Sequence, residues 1–423
     1  MHSRFLAARP WVVVALLFIF MAINFADKAV IGLVGPEMMR DLHLSAQQFG
    51  LVGSSFFLLF TVSGISVGLL ANRVRMKWLL AALSLAWALV QFPLAMAVSF
   101  PTLIACRVVL GAGEGPAYPL ALHAGYGWFE NRRRNIPHAL IQVGGNFGVI
   151  VAGPLLTYIA MRDDWHAPFL LLGVLGLVWT SVWMLLGEDG PLDRHPKPVA
   201  RVAGGGYADL FRNPTLIGVF AMTTAAYAVI ALSFTWYPSY LRSSLGYSAA
   251  EAGWLFSLLI AVQVPVTIGV SWVSQALLQR GVSSRIARGG IAWVSMLAAA
   301  AMFVLLPGRQ SGWPALALLG GASILSQFIF IFGPLIIGEI VPLALRAGWL
   351  SINNSVATLS GLVAPALMGH FIQHAATPSA GFDAGFEALA VALFVAGAIG
   401  LLLVNPASAG AHAADALQAG VKR

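Results

Sequence analysis

Four ionisable residues stand inside long apolar stretches of the sequence. Asp27 and Lys28 are adjacent in "INFADKAVIG" (23–32), and Arg107 precedes Glu114 by seven residues. A charge at bilayer depth costs a few kcal/mol or more, so such residues usually pair with one another or mark the path of an ion or substrate. A buried acid can bind and release a proton, and a buried base can hold an anion. These four residues therefore indicate either the path of an ion or substrate, or ion pairs that hold helices together.

The stretches that hold these residues are long enough to cross a membrane. The 423 residues are 59% hydrophobic and 9% charged, whereas about 25% charged residues is usual for soluble proteins. A spanning helix needs about 20 apolar residues. The sequence therefore predicts an all-α integral membrane protein with twelve transmembrane helices, which we number in chain order. They are predicted at 11–34, 47–71, 78–97, 101–127, 135–160, 167–187, 214–240, 250–277, 286–306, 314–338, 347–373 and 384–404.

The basic residues predict the orientation of these helices. Only four of the 24 lysines and arginines fall in predicted outer loops, namely Arg40, Arg162, Arg242 and Arg309. By the positive-inside rule, both termini are predicted to be cytoplasmic, in an inner (plasma) membrane of bacterial type. The net charge of +8 follows from these inner loops, so no nucleic acid is expected as a partner. We expect a monomer in the lipid bilayer.

The longest loop divides the helices six and six. It is polar and rich in proline and glycine, as an interdomain linker would be. The sequence predicts an N-terminal six-helix half at 1–187, a cytoplasmic linker at 188–213, a C-terminal six-helix half at 214–404 and a cytoplasmic tail at 405–423. Twelve helices in two halves resemble the layout of the major facilitator transporters.

The loop after helix 2 resembles the signature of the same superfamily. In "GLLANRVRMK" (68–77), Gly68, Arg73 and Lys77 match the family pattern, whereas Asn72 stands where the family has an acid. Arg73 and Lys77 are therefore candidate gating residues. Two further gating candidates, Glu339 and Arg346, bracket the predicted inner loop between helices 10 and 11, where they are expected to form a gate or a structural pair.

Residue counting places the four buried charges along one axis. Asp27 lies about 24 Å into helix 1, and Arg107 lies about 9 Å from the outer end of helix 4. Glu114 is two turns further along helix 4, about 10 Å nearer the cytoplasm. It lies in "GAGEGPAYP" (111–119), whose glycines and prolines predict a thin, kinked helix. The alternative is that Asp27 and Arg107 neutralise each other and only hold two helices together.

The order of these charges resembles the anion:cation symporter branch of the major facilitators. That branch includes bacterial galactonate and hexuronate transporters, sialin and the vesicular glutamate transporters, and "FTWYPSYLRSSLGYSAAEAG" (234–253) resembles its passage from helix 7 to helix 8. The resemblance implies that Asp27 and Glu114 carry protons and that Arg107 contacts the substrate anion. Lys28 stands where the sugar-acid transporters commonly have arginine, which implies a contact with the substrate.

Polar and aromatic residues elsewhere in the helices are further candidates for substrate binding. Amides inside a membrane need partners, so they could bind substrate hydroxyls or join helices. Aromatic side chains could wall a pocket, or could serve as packing or interfacial anchors. The candidates are Gln142, Asn353, Asn354, Tyr118 and Trp236.

Together these observations predict a proton-coupled symporter that imports a small organic anion, a sugar acid or other carboxylate, by alternating access. Protonation of Asp27 would free Lys28 and Arg107 for the anion, and Glu114, with no cation expected within a turn, would be the second proton site. The proton is the coupling ion, and no cofactor is expected. An efflux antiporter of the same fold is the alternative, although Lys28 and Arg107 would repel cationic drugs. A membrane enzyme is disfavoured because the sequence shows no nucleophile–base pair, metal set or phosphate loop.

Overall fold

The computed structural model describes residues 2–70, 74–96, 99–130, 133–194, 210–309 and 311–406. Within these ranges the chain is helical and contains no β-strand. Arg73 and Asn72, in the loop after helix 2, lie outside the described residues. The prediction that Arg73 acts in gating therefore stays a prediction.

The predicted transmembrane helices are present, with ends that differ from the predictions by a few residues. Eleven described spans are long and apolar enough to cross a membrane, and helix 4, which is broken, supplies a twelfth. Helices 1–6 comprise His2–Leu33, Ala46–Leu70, Met76–Ala95, Phe100–Glu114 with Ala117–Tyr126, Asn135–Arg162 and Ala167–Leu186. Helices 7–12 comprise Pro214–Ser243, Ala249–Gln279, Arg285–Leu305, Trp313–Ser326 with Ile329–Ile340, Leu343–Thr358 with Ser360–His374, and Pro378–Leu403. The all-α membrane fold is thus confirmed.

Packing groups the described residues into two compact units. The first takes in those within Met1–Pro198, Ser233–Ala261 and Pro365–Gln373, and the second takes in those within Val199–Leu232, Val262–Ala364 and His374–Arg423. The first unit contains helices 1–6 with segments of helices 7, 8 and 11. The division of the sequence into two six-helix halves and a linker stays a prediction.

A buried aromatic cluster joins helices 1, 3 and 6 in the first unit. The ring of Phe20 lies 4.8 Å from that of Trp87 and 4.7 Å from that of Trp179. The Trp179 indole also donates a hydrogen bond of 2.8 Å to the carbonyl oxygen of Leu16. This cluster fixes the level of helix 1 relative to helices 3 and 6.

Glycines let neighbouring helices approach to backbone contact. A Cβ atom at Gly144 of helix 5 would lie 2.5 Å from the carbonyl oxygen of Phe18, so helix 1 packs directly on helix 5. A Cβ atom at Gly111 of helix 4 would lie 1.8 Å from the carbonyl oxygen of Phe56 on helix 2. Small residues at membrane helix interfaces permit such close packing.

Helix 4 breaks at Gly115 and Pro116, where proline lacks the N–H that a continuous helix requires.

An acid that follows helix 6 holds the start of helix 3. Asp189 accepts a hydrogen bond of 2.8 Å from the backbone N–H of Lys77, and its other oxygen lies 3.0 Å from Nε of Arg75. The carbonyl oxygen of Lys77 accepts a hydrogen bond of 3.0 Å from the indole of Trp183. Asp189 thus holds the first turn of helix 3 through one backbone contact and one side-chain contact. Lys77 takes part through its backbone.

Asp189→Ala should lower the free energy of unfolding by about 1 kcal/mol, because it removes the cap of the first turn of helix 3. Arg75→Ala is the matched control and should cost much less, since the Arg75 side chain is 71% exposed and exposed ion pairs contribute little. Thermal unfolding of the purified variants measures both effects. Equal losses in the two variants would show that the ion pair, rather than the cap, holds the start of helix 3.

Candidate functional site

The structure brings together the four charged residues that the sequence places inside the membrane. Asp27 and Lys28 come from helix 1, and Arg107 and Glu114 come from helix 4. Asp27, Arg107 and Glu114 are 0%, 3% and 1% exposed. Lys28 and Arg107 lie close enough to act on the charges of both acids. We call these four residues the charge cluster.

Lys28 forms an ion pair with Glu114. Its Nζ lies 2.8 Å from Oε2 of Glu114, and it also donates a hydrogen bond to Oδ1 of Asn24. The prediction that Glu114 has no cation within reach is therefore wrong. It counted only the residues of helix 4, whereas the cation arrives from helix 1 on the long, flexible stem of a lysine. The same ammonium group lies 4.7 Å from the ring centroid of Phe25.

Asp27 forms no ion pair of the kind that joins Glu114 to Lys28 among the described residues. Within the described parts of the chain, the carboxylate oxygens of both acids lack a hydrogen-bond partner. Glu114 has the ion pair with Lys28, whereas no ion pair joins Asp27 to Arg107 or Lys28. The alternative in which Asp27 and Arg107 form a structural ion pair is therefore not supported by this geometry. The two acids of the cluster differ, because Glu114 is ion-paired and Asp27 is not.

Arg107 keeps hydrogen-bond donors available although it is buried. Its guanidinium carbon lies 4.6 Å from the ring centroid of Phe56, a cation–π contact. Its Nε and Nη1 donate to no acceptor among the described residues. The close approach of helix 2 at Gly111 positions Phe56 next to this side chain. A planar guanidinium with unused donors is suited to bind a carboxylate or another oxyanion.

Three other predicted substrate residues lie in the first unit. Tyr118 is 37% exposed, and Gln142 is exposed on helix 5, beside His138. Both leave a polar side chain accessible. Trp236 is buried, and its indole N–H donates a hydrogen bond of 3.0 Å to the carbonyl oxygen of Pro365. This geometry favours the packing alternative for Trp236.

The remaining predicted residues lie in the second unit. Asn353 is buried and its Oδ1 has no partner within the described chain, whereas Asn354 is exposed. Glu339 pairs with Arg288 and accepts a hydrogen bond of 2.7 Å from Ser284. The structural-pair alternative for Glu339 and Arg346 is therefore wrong, because the start of helix 9 brings Arg288 to Glu339. The Arg346 side chain instead lies next to Gly338, where a Cβ atom would be 3.8 Å from its Nε. The role of Glu339 and Arg346 in gating stays a prediction.

Several amides inside the helices were not predicted from the sequence. Gln91 of helix 3 is fully buried and lies beside Asp27. In the second unit, Gln263 donates a hydrogen bond of 2.9 Å to Gln327, which follows the first segment of helix 10. The sequence does show these glutamines within apolar helices, where an amide needs a hydrogen-bond partner. The argument that makes Gln142 and Asn353 candidates therefore applies equally to the amides of helices 3, 8 and 10. No group of three metal-binding side chains occurs among the residues described.

A twelve-helix membrane protein whose buried charges include unused donors and an unpaired acid belongs to the class of transporters rather than enzymes. A model of the Major Facilitator Superfamily matches residues 17–330, and the chain belongs to this superfamily.

Relatives and a solved structure agree with this assignment. The chain is 25% identical over 409 residues to the hexuronate transporter of Bacillus subtilis (strain 168), covering 91% of this chain and 95% of that protein. It is 26% identical over 407 residues to a probable sulfoacetate transporter of Cupriavidus necator, covering 91% of each chain. Its fold is similar to that of an inward-facing bacterial homologue of the human lysosomal transporter Spinster, with a TM-score of 0.75 and 19% sequence identity. The match covers 94% of this chain and 97% of that chain.

Proposed function

We propose that the protein is a proton-coupled symporter that imports a small organic anion, a sugar acid or another carboxylate, by alternating access. The observation that carries the proposal is the buried guanidinium of Arg107, whose Nε and Nη1 are unused, next to two buried acids in different pairing states. The relatives named above transport a hexuronate and, probably, sulfoacetate. These substrates share an acidic group that an arginine can hold.

The coupling follows from the net charge of the cluster. When all four residues are ionised, two acids and two bases sum to zero. An anion that binds alone would leave one uncompensated negative charge in a buried site, and a proton that binds alone would leave one positive charge. Uncompensated charge is costly in a low-dielectric environment. The site therefore favours the anion and the proton together.

Glu114 is the acid through which proton binding changes the partners of the substrate. Its carboxylate is paired with Lys28 at 2.8 Å. A proton taken up from the aqueous side neutralises this carboxylate and weakens the pair, so the Lys28 ammonium becomes available to the anion beside Arg107. Release of the proton to the other side restores the pair and expels the anion. Asp27, with no such pair, is the second proton site.

The setting of the proposed activity is the inner membrane. We infer from the distribution of basic residues that both termini are cytoplasmic, and we expect the chain to act as a monomer with no cofactor other than the coupling proton.

Purified protein in lipid vesicles should accumulate labelled D-glucuronate when the outside is made acidic. Accumulation should stop when a protonophore collapses the gradient, and substrate addition without an imposed gradient should alkalinise the medium. Vesicles without protein are the control, and sulfoacetate and galactonate extend the test to other anions. Anion movement that only equilibrates, with no response to the proton gradient, would contradict proton coupling.

A further inference from the structure

Gln91 is a buried amide at the junction of helices 1, 3 and 6. It is 0% exposed, and neither its Nε2 nor its Oε1 has a hydrogen-bond partner among the described residues. Buried amides in proteins are nearly always hydrogen-bonded, because an unsatisfied one costs free energy. A residue of this kind inside an apolar helix therefore requires a specific partner.

The packing of the three helices places Gln91 at the level of Asp27. The ring of Phe20 on helix 1 contacts that of Trp87 on helix 3. Gln91 is one turn beyond Trp87, about 6 Å along helix 3, and Asp27 is about 10 Å beyond Phe20 along helix 1. The remaining difference of about 4 Å is within the reach of a glutamine side chain.

Helix 6 leaves room for this side chain. A Cβ atom at Gly173 would lie 3.1 Å from Cβ of Gln91, so the absence of a side chain at Gly173 lets Gln91 fit between the helices. Four side chains lie close enough to act on the charge of Asp27, namely Glu114, Lys28, Gln91 and Arg107. Lys28 is paired with Glu114, and Arg107 forms no ion pair with Asp27 within the described chain. Gln91 is the uncharged member of this group.

We propose that Gln91 is a positioning residue that hydrogen-bonds Asp27 in both of its protonation states and thereby sets the pH range in which Asp27 exchanges its proton. An amide suits both states. Its Nε2–H donates to the carboxylate, and its Oε1 accepts from the O–H of the protonated acid. The proton itself passes between Asp27 and the aqueous side. Because glutamine does not titrate, it holds Asp27 without changing the net charge of the cluster. The inference rests on the proposed function for its role in transport, but the contact itself can be tested without transport.

Infrared spectra of the purified protein over a pH titration test the contact. The carbonyl band of protonated Asp27 is assigned by its loss in Asp27→Asn. In Gln91→Met, which keeps the side-chain length and removes both hydrogen-bonding groups, this band should move to higher frequency. The midpoint of its titration should move up by about one pH unit, because the bond lost from the charged carboxylate is stronger than the bond lost from the protonated acid.

A matched control comes from the same helix. Ser84 is fully buried, and its Oγ lies 2.7 Å from Oγ1 of Thr180. Ser84→Ala therefore removes a buried hydrogen bond at another position on helix 3 and should leave the Asp27 band unchanged. Gln91→Asn draws the amide back by one methylene and should shift the band in the same direction as Gln91→Met. It serves as the second variant where the methionine protein does not fold.

Transport separates this inference from the proposed function. The pH profile of labelled D-glucuronate exchange should move toward higher pH in Gln91→Met, and the same substitution in an Asp27→Asn background should cause no further shift. An Asp27 band that is the same in wild type and in both Gln91 variants would overturn the inference. Wild-type protein that moves no organic anion under a proton gradient would instead contradict the proposed function, whatever the infrared result.

Discussion

Arg107→Ala protein should bind organic anions at least tenfold more weakly than wild type, a loss of about 1.4 kcal/mol. The guanidinium is buried against Phe56, and its Nε and Nη1 have no acceptor among the described residues. The substitution therefore removes donors that the folded protein leaves unused and that an anion would take up. It also leaves the charge cluster with an excess of negative charge, which opposes anion binding further.

Calorimetric titration with D-glucuronate measures this loss. Arg107→Lys keeps the charge but loses the planar fork, so its affinity should fall between those of wild type and Arg107→Ala. Arg242→Ala is the matched control in the same unit, because Arg242 is already held by both oxygens of Glu37 at 2.6 and 2.8 Å. It should lose stability and keep its affinity for the anion. Near-normal affinity in Arg107→Ala protein would contradict the assignment of Arg107 as the anion site.

Glu114→Gln protein should still exchange labelled for unlabelled D-glucuronate across vesicle membranes but should lose accumulation driven by an inward proton gradient. Glutamine keeps the size of the side chain and cannot bind or release the proton. The ammonium of Lys28 loses its carboxylate partner at 2.8 Å, so the variant is held in the state that the proposed mechanism assigns to the protonated carrier. Substrate addition should no longer alkalinise the medium.

The buried pair requires a second variant, because removing one partner of a buried ion pair can cost about 3–5 kcal/mol. Lys28→Met with Glu114→Gln removes both charges and should recover much of that stability without restoring coupling. The alternative is that Glu114 only joins helix 4 to helix 1. In that case glutamine would preserve the contact, and proton-driven uptake in Glu114→Gln vesicles would run at the wild-type rate.

Hydropathy and the cost of charge in a membrane predicted the helices and the charge cluster. Each spanning helix satisfies its own backbone, so its existence and approximate ends can be read from one stretch of sequence. The same cost makes Asp27, Arg107 and Glu114 stand out as residues that must face the protein interior. The glycines and prolines around Glu114 predicted a kink in helix 4, and the structure has a break there.

The partners of the charges could not be read in this way. Whether Lys28 reaches Glu114 or Asp27 depends on the rotation of helix 1 against helix 4. That rotation follows from tertiary packing, of which the contact of Gly111 on helix 4 with helix 2 is one part. The pairing of Glu339 with Arg288 depends similarly on the packing of helix 9. Gln91 carries no charge, so it attracts little attention in a sequence, although its environment is as demanding as that of an acid.

The balance of charge in the cluster also has an electrical consequence. Moving one elementary charge across a membrane potential of 100 mV involves about 2.3 kcal/mol of work. With all four residues ionised, the empty carrier presents no net charge to the field when it reorients, and a monoanion carried with one proton leaves that sum at zero. When one proton accompanies each monoanion, a voltage that is negative inside the cell therefore neither drives nor opposes either half of such a cycle; protonation of both Asp27 and Glu114 would add one positive charge to the loaded carrier. The gradients of proton and anion concentration alone set its direction.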